Sequence, residues 1–171
     1  MAVPDGLAER PEIDSERIAA MGGSFGCHMA NWIGANTDCF RCLVSHAGTY
    51  HLSVFFGTTD YPPMWAHQMG GTPEGDSRDR FERYSPHRGL ARWKSPTLII
   101  HVERDDRVPI SELLLLFEDL SRAGVEVGIL ASPDESHWIL KPRNTRQWYG
   151  QVLDFLGRPL DRASIGGGES R

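Results

Sequence analysis

Arg17-Ile18-Ala19-Ala20-Met21-Gly22-Gly23-Ser24-Phe25-Gly26 is the stretch that decides the fold. An apolar strand, Arg17 to Met21, runs into a turn of small residues, and a helical pattern from Phe25 to Ala35 follows at once. The turn, Gly22-Gly23-Ser24-Phe25-Gly26, matches G-x-S-x-G. A serine in a sharp strand-to-helix turn has strained dihedrals, so its neighbours must be small for the backbones to approach. Such a turn lifts the Ser24 hydroxyl clear of the sheet and sets it at a helix N-terminus. Free N–H groups and the helix dipole there favour a developing oxyanion, and the Phe25 N–H is the expected donor. The five-residue pattern alone also fits a plain Gly-rich turn. The strand before it and the helix after it give it weight.

Working outward, the next strand is Cys42-Leu43-Val44-Ser45-His46. A long irregular stretch, rich in aromatics, Gly and Pro, is expected from Gly48 to Lys94. The third strand, Thr97 to Val102, is continuously apolar, which suits burial on both faces. A helix is expected from Ser111, a good N-cap, to Gly124, a good stop. Leu113, Leu116, Phe117 and Leu120 fall at helical spacing and would face the sheet. A fourth strand covers Val125 to Leu130. A last helix covers Asn144 to Leu156, with Trp148, Val152, Phe155 and Leu156 on one face. The expected class is α/β, with about four parallel strands and helices on both faces. Residues 1–156 form one unit, and 157–171, with Gly166-Gly167-Gly168, read as a disordered tail.

A weakly acidic serine needs a general base, and the base needs an orienting carboxylate. Asp105 lies just past the third strand, in Arg104-Asp105-Asp106-Arg107-Val108-Pro109. His137 lies past the fourth, in Asp134-Glu135-Ser136-His137-Trp138. Singly, each reads as readily as a solvated turn. Jointly, Ser24, Asp105 and His137 give the order Ser, acid, His at the carboxyl ends of strands in one sheet. The other six histidines lack metal-type spacings such as H-E-x-x-H and read mostly as surface or capping residues.

The 171-residue chain carries a net charge of -5, a poor match to nucleic acid or an anionic membrane. No apolar run approaches the roughly 20 residues of a membrane span. The N-terminus lacks a signal-peptide pattern, so a cytoplasmic location is the expectation. Cys39-x-x-Cys42 has no second pair to complete a zinc site, and the odd count of three cysteines argues against a disulfide scaffold.

Five separated segments carry a resemblance. They are Gly22 to Gly26 with Met29-Ala30-Asn31-Trp32, Val44-Ser45-His46-Ala47-Gly48, Phe81-Glu82-Arg83-Tyr84-Ser85-Pro86, Arg104 to Pro109, and Asp134 to Trp138. Together, from about Ile13 to Leu156, they resemble the prolyl oligopeptidase-family peptidases, nearest to the acylaminoacyl-peptidase and dipeptidyl-aminopeptidase branches. The resemblance implies Ser24 as nucleophile, Asp105 as orienting acid and His137 as base, with Asp106 second choice as the acid. Phe25 and Val108 would line an apolar specificity pocket, and Arg107 would contact a substrate carbonyl. It implies a peptide substrate and neither cofactor nor metal. It also implies a partial α/β-hydrolase fold holding the last four of about eight strands. A β-propeller and a second, tyrosine oxyanion donor would lie upstream. The first strand would then be an open edge, a route to self-association. Two departures stand out. Cys27-His28 replaces a usual Gly-Tyr, with Cys27 expected to crowd helix against strand, and Val102 replaces a usual Gly. An esterase of the same fold and a non-catalytic fragment are the alternatives.

Overall fold

The computed structural model describes Gly6 and residues 9–161. Four parallel strands lie side by side in chain order: β1 (Ala20–Gly23), β2 (Leu43–His46), β3 (Thr97–Val102) and β4 (Val127–Ser132). Gly23 pairs with His46, His46 with Ile100, and Val102 with Ser132, so the carboxyl ends share one edge of the sheet. β1 is an outer strand among the described residues. The helices are α1 (Phe25–Asn36), α2 (Leu52–Thr58), α3 (Pro62–Met69), α4 (Arg78–Arg83), α5 (Ser111–Arg122) and α6 (Pro142–Asp161). A 3₁₀ helix spans Pro86–Arg92.

Side chains alternate across the strands with a period of two. Leu43 and Ile99 face Trp93 and the α5 leucines Leu113, Leu116 and Leu120. Val44, Leu98, Ile100 and Leu130 face the other way, onto Val152 and Phe155 of α6. Helices therefore cover both faces. A third cluster, Leu52, Phe55, Phe81 and Val108, ties α2 and α4 to the loop after β3.

β3 and the buried face of α5 match expectation, while several boundaries do not. β1 and β4 each begin two or three residues later than their apolar runs suggest. Val125 packs in the turn instead, its N–H donating to the Leu120 carbonyl at 3.0 Å. The stretch from 48 to 94 is mostly helical, in short pieces broken by Pro62-Pro63 and Gly70-Gly71. Ser111 is not an N-cap. Pro109 starts the turn early, accepting the Glu112 N–H at 3.0 Å, so Ile110 holds the cap position and the Ser111 hydroxyl is buried without a partner among the described residues. α6 continues to Asp161, five residues past Leu156. The remainder of the expected tail, 162–171, lies outside the described residues.

Glu112 is fully buried in the first turn of α5. Its Oε2 accepts the N–H of Tyr50 at 2.7 Å and of His51 at 2.8 Å. Burial pushes its carboxyl up to about 7, and the two N–H donors offset part of that rise. The folded pKa is raised, so the stability linked to this group is complete below its unfolded value and is lost as pH climbs through about 7. Glutamine can accept the same two N–H groups without ionising. Glu112→Gln should therefore melt close to wild type at pH 5 and be more stable at pH 9, by about 2 kcal/mol. Thermal melts at the two pH values measure this; an equal shift at both would contradict it.

Candidate active site

Ser24 sits between β1 and α1 with φ 55° and ψ -120°, a region that costs a non-glycine residue of order 1–3 kcal/mol. Its backbone is held from both sides. The Ser24 N–H donates to the His46 carbonyl at 2.9 Å, and the Ser24 carbonyl accepts the N–H groups of Cys27 and His28 at 2.9 and 3.1 Å. Gly22 makes the turn possible: a Cβ there would lie 2.1 Å from the Gly26 oxygen. Gly26 is different, since a Cβ there meets nothing within 4 Å. Cys27 is accommodated by Gly48, where a Cβ would come 2.2 Å from the Cys27 sulfur. The crowding expected of Cys27 is relieved at that glycine, and its thiol lies 2.9 Å from the Ser45 hydroxyl.

The structure brings Ser24, Asp105 and His137 together. His137 Nδ1 lies 2.7 Å from Asp105 Oδ2, and Nε2 lies 2.9 Å from Ser24 Oγ. The Asp105 side chain is fully buried. Its other oxygen, Oδ1, accepts the N–H groups of Arg107 at 3.0 Å and Val108 at 2.9 Å. Asp106 is exposed, and its carbonyl accepts the Asp60 N–H. The His137 loop is anchored to the start of α6 by Glu135, which accepts from the Lys141 N–H and the Asn144 amide, both at 2.8 Å. Glu135 was not singled out in the sequence; a lone Glu in a polar loop carries no signal of burial.

Phe25 is the first residue of α1, where an N–H has no acceptor within the helix. That leaves it free to face an oxyanion beside Ser24. Its ring is exposed and borders a cavity of about 410 Å³. Val108 and Arg107 also line this cavity. Arg107 is engaged there, its Nε 2.8 Å from Asp60 Oδ1. Phe55, Met64 and Trp65 supply the rest of the apolar wall, with Phe55 and Trp65 edge to face at 4.9 Å. These three come from helices α2 and α3, inside the stretch read as irregular, so their placement was not legible.

Two histidines lie buried beneath the site. Burial, with the neighbouring His101 and His137 imidazoles, lowers His46 to about 4. Burial also lowers His101, whose Nδ1 accepts the Val102 N–H at 2.9 Å. Both rings are therefore neutral near pH 7, and they are core residues, not the surface residues expected. Cys39 and Cys42 are both free thiols. Among the described residues no helix is long and apolar enough to cross a membrane.

A model of the prolyl oligopeptidase family matches residues 1–163. Dipeptidyl-peptidase 5 of Schizosaccharomyces pombe is 35% identical over 145 residues, which are 84% of this chain and 21% of that protein. Dipeptidyl-peptidase 5 of Porphyromonas endodontalis is 31% identical over 166 residues, 95% of this chain and 24% of that one. The acylaminoacyl peptidase of Pyrococcus horikoshii superposes with a TM-score of 0.86 at 25% identity, over 97% of this chain and 28% of its own. The chain thus spans about a quarter of the length of the relatives it matches. By sequence and by backbone, the chain belongs to the prolyl oligopeptidase family of serine peptidases.

Proposed function

We propose that this chain carries the catalytic centre of a serine peptidase that cleaves short peptides through an acyl-enzyme. The observation that carries the reading is the His137 ring, 2.9 Å from the Ser24 hydroxyl and 2.7 Å from the Asp105 carboxylate. Ser24 Oγ attacks the scissile carbonyl while His137 Nε2 takes its proton. Asp105 holds Nδ1–H and stabilises the imidazolium. The carbonyl oxygen gains negative charge and accepts from the Phe25 N–H. His137 then returns the proton to the leaving amine, the C–N bond breaks, and the acyl group remains on Ser24. Water, deprotonated by His137, releases the acid and restores the hydroxyl.

A fluorophosphonate probe should label Ser24, detected by mass spectrometry of the modified peptide, and Ser24→Ala should stay unlabelled. A folded sample that takes up no label sinks the reading. Labelling with no turnover of acyl-peptide anilides, or turnover of simple acyl esters alone, favours the esterase or the non-catalytic fragment.

A further inference from the structure

Beyond Ser24 and His137, the cavity is lined by an apolar wall, by the polar side chains Arg107 and Gln68, and by one hydrogen-bonded polar pair. His28, on the first turn of α1, lines it together with Thr49 from the loop after β2. His28 Nδ1 lies 2.8 Å from Thr49 Oγ1. The His28 ring also stacks on Phe25, with centroids 5.8 Å apart and 25° between planes. The neighbouring wall is Phe55, Met64, Trp65 and Val108.

The pair is rigidly mounted. The Thr49 carbonyl accepts from the Asn31 amide at 3.0 Å. The next two N–H groups, Tyr50 and His51, donate to buried Glu112, and the Leu52 N–H donates to Ser85 Oγ at 2.8 Å. The Ala47 N–H ties the start of the same loop to Ile100 at 2.9 Å. A reader fixed in advance loses little side-chain freedom when a ligand group arrives. Burial lowers the His28 pKa, so its ring is neutral near pH 7. A neutral imidazole has one donor and one acceptor nitrogen. With Nδ1 engaged by a hydroxyl that can donate or accept, Nε2 takes the complementary role. The pair can therefore meet a group that both donates and accepts.

We infer that His28, backed by Thr49, is a specificity-determining residue that reads a hydroxyl at the tip of an aromatic substrate side chain, so that the cavity prefers tyrosine to phenylalanine next to the scissile carbonyl. The aromatic body suits the wall of Phe55, Trp65 and Val108, and the phenol is the protein side chain that adds a donor–acceptor tip to such a body. This rests on the reading of Ser24 as the nucleophile whose adjoining cavity holds the substrate side chain.

The test is binding, so it does not need turnover. N-acetyl-tyrosinamide and N-acetyl-phenylalaninamide are titrated against the full chain, read by intrinsic tryptophan fluorescence. The expected preference for the tyrosine compound is about tenfold, the scale of one net hydrogen bond. His28→Phe should bring the ratio to about one. Thr49→Val, an isosteric change in case the first variant folds poorly, should reduce it in the same direction. A purely structural role would weaken both ligands alike and leave their ratio intact. Equal binding of the two amides by wild type, absence of binding by either, or an unchanged ratio in both variants overturns the inference. Fluorophosphonate labelling of Ser24 in the same sample separates that failure from a failure of the nucleophile assignment.

Discussion

Asp105→Asn is expected to lower kcat by about 10⁴-fold with little loss of folded protein. The reason lies in what each Asp105 oxygen does. Oδ1 accepts two backbone N–H groups, from Arg107 and Val108, while Oδ2 accepts from His137 Nδ1. An asparagine must keep its carbonyl oxygen toward the two N–H groups, because turning its amide there would set donor against donor. Its NH₂ then points at His137 Nδ1 and forces that nitrogen to accept. The ring proton moves to Nε2, which faces Ser24 Oγ at 2.9 Å and can no longer take a proton from it. The backbone around position 105 keeps its bonds throughout, so circular dichroism and the melting temperature should stay near wild type. The rate of fluorophosphonate labelling should fall along with kcat. A fall of less than tenfold would show that Asp105 is not the partner that sets the His137 tautomer.

The second large effect concerns folding. Gly22→Ala should cost about 3 kcal/mol or more, because the new methyl must displace backbone and cannot simply turn a side chain aside. The atoms in its way are the Gly26 carbonyl at 2.1 Å and the Cys27 nitrogen at 2.7 Å, both part of α1. For a chain of this size that corresponds to a melting temperature lower by about 10 °C. Gly26→Ala supplies the control within the same motif. Its Cβ meets open space, and alanine is the better helix former, so its melting temperature should equal or exceed that of wild type. Equal losses from the two substitutions would mean that the close approach of β1 to α1 is not what the motif protects.

The contrast between these glycines also marks how far the sequence could be read. The G-x-S-x-G pattern reports a turn, but it treats both outer glycines alike, and only packing distinguishes them. β3 was legible because six consecutive buried residues leave little alternative to a central strand. The positions of Ser24, Asp105 and His137 were legible because each lies in the connection that leaves the carboxyl end of a strand, and parallel strands in register bring those ends to one edge. The wall of the cavity was not. Phe55, Met64 and Trp65 stand on helices of eight residues or fewer, too short to show a period. Those helices are held by contacts far away in the chain, such as Ser85 Oγ on the Leu52 N–H and the Arg107 carbonyl on the Thr59 hydroxyl. Glu112 was missed for a related reason. A glutamate in the first turn of a helix looks like an ordinary partner of the helix dipole, and nothing local tells that Tyr50 and His51 arrive to bury it.

The partition of the three cysteines has a practical use. Burial pushes the Cys27 thiol up to about 12 and Cys42 to about 11, so at neutral pH neither offers the thiolate that alkylation requires. Cys39 alone is exposed, in the connection that enters β2 at its amino end, across the sheet from Ser24. A maleimide dye will therefore attach at one place without touching Ser24, Asp105 or His137. The chain comes with a built-in attachment point for fluorescence or surface immobilisation, and no cysteine need be engineered in or removed.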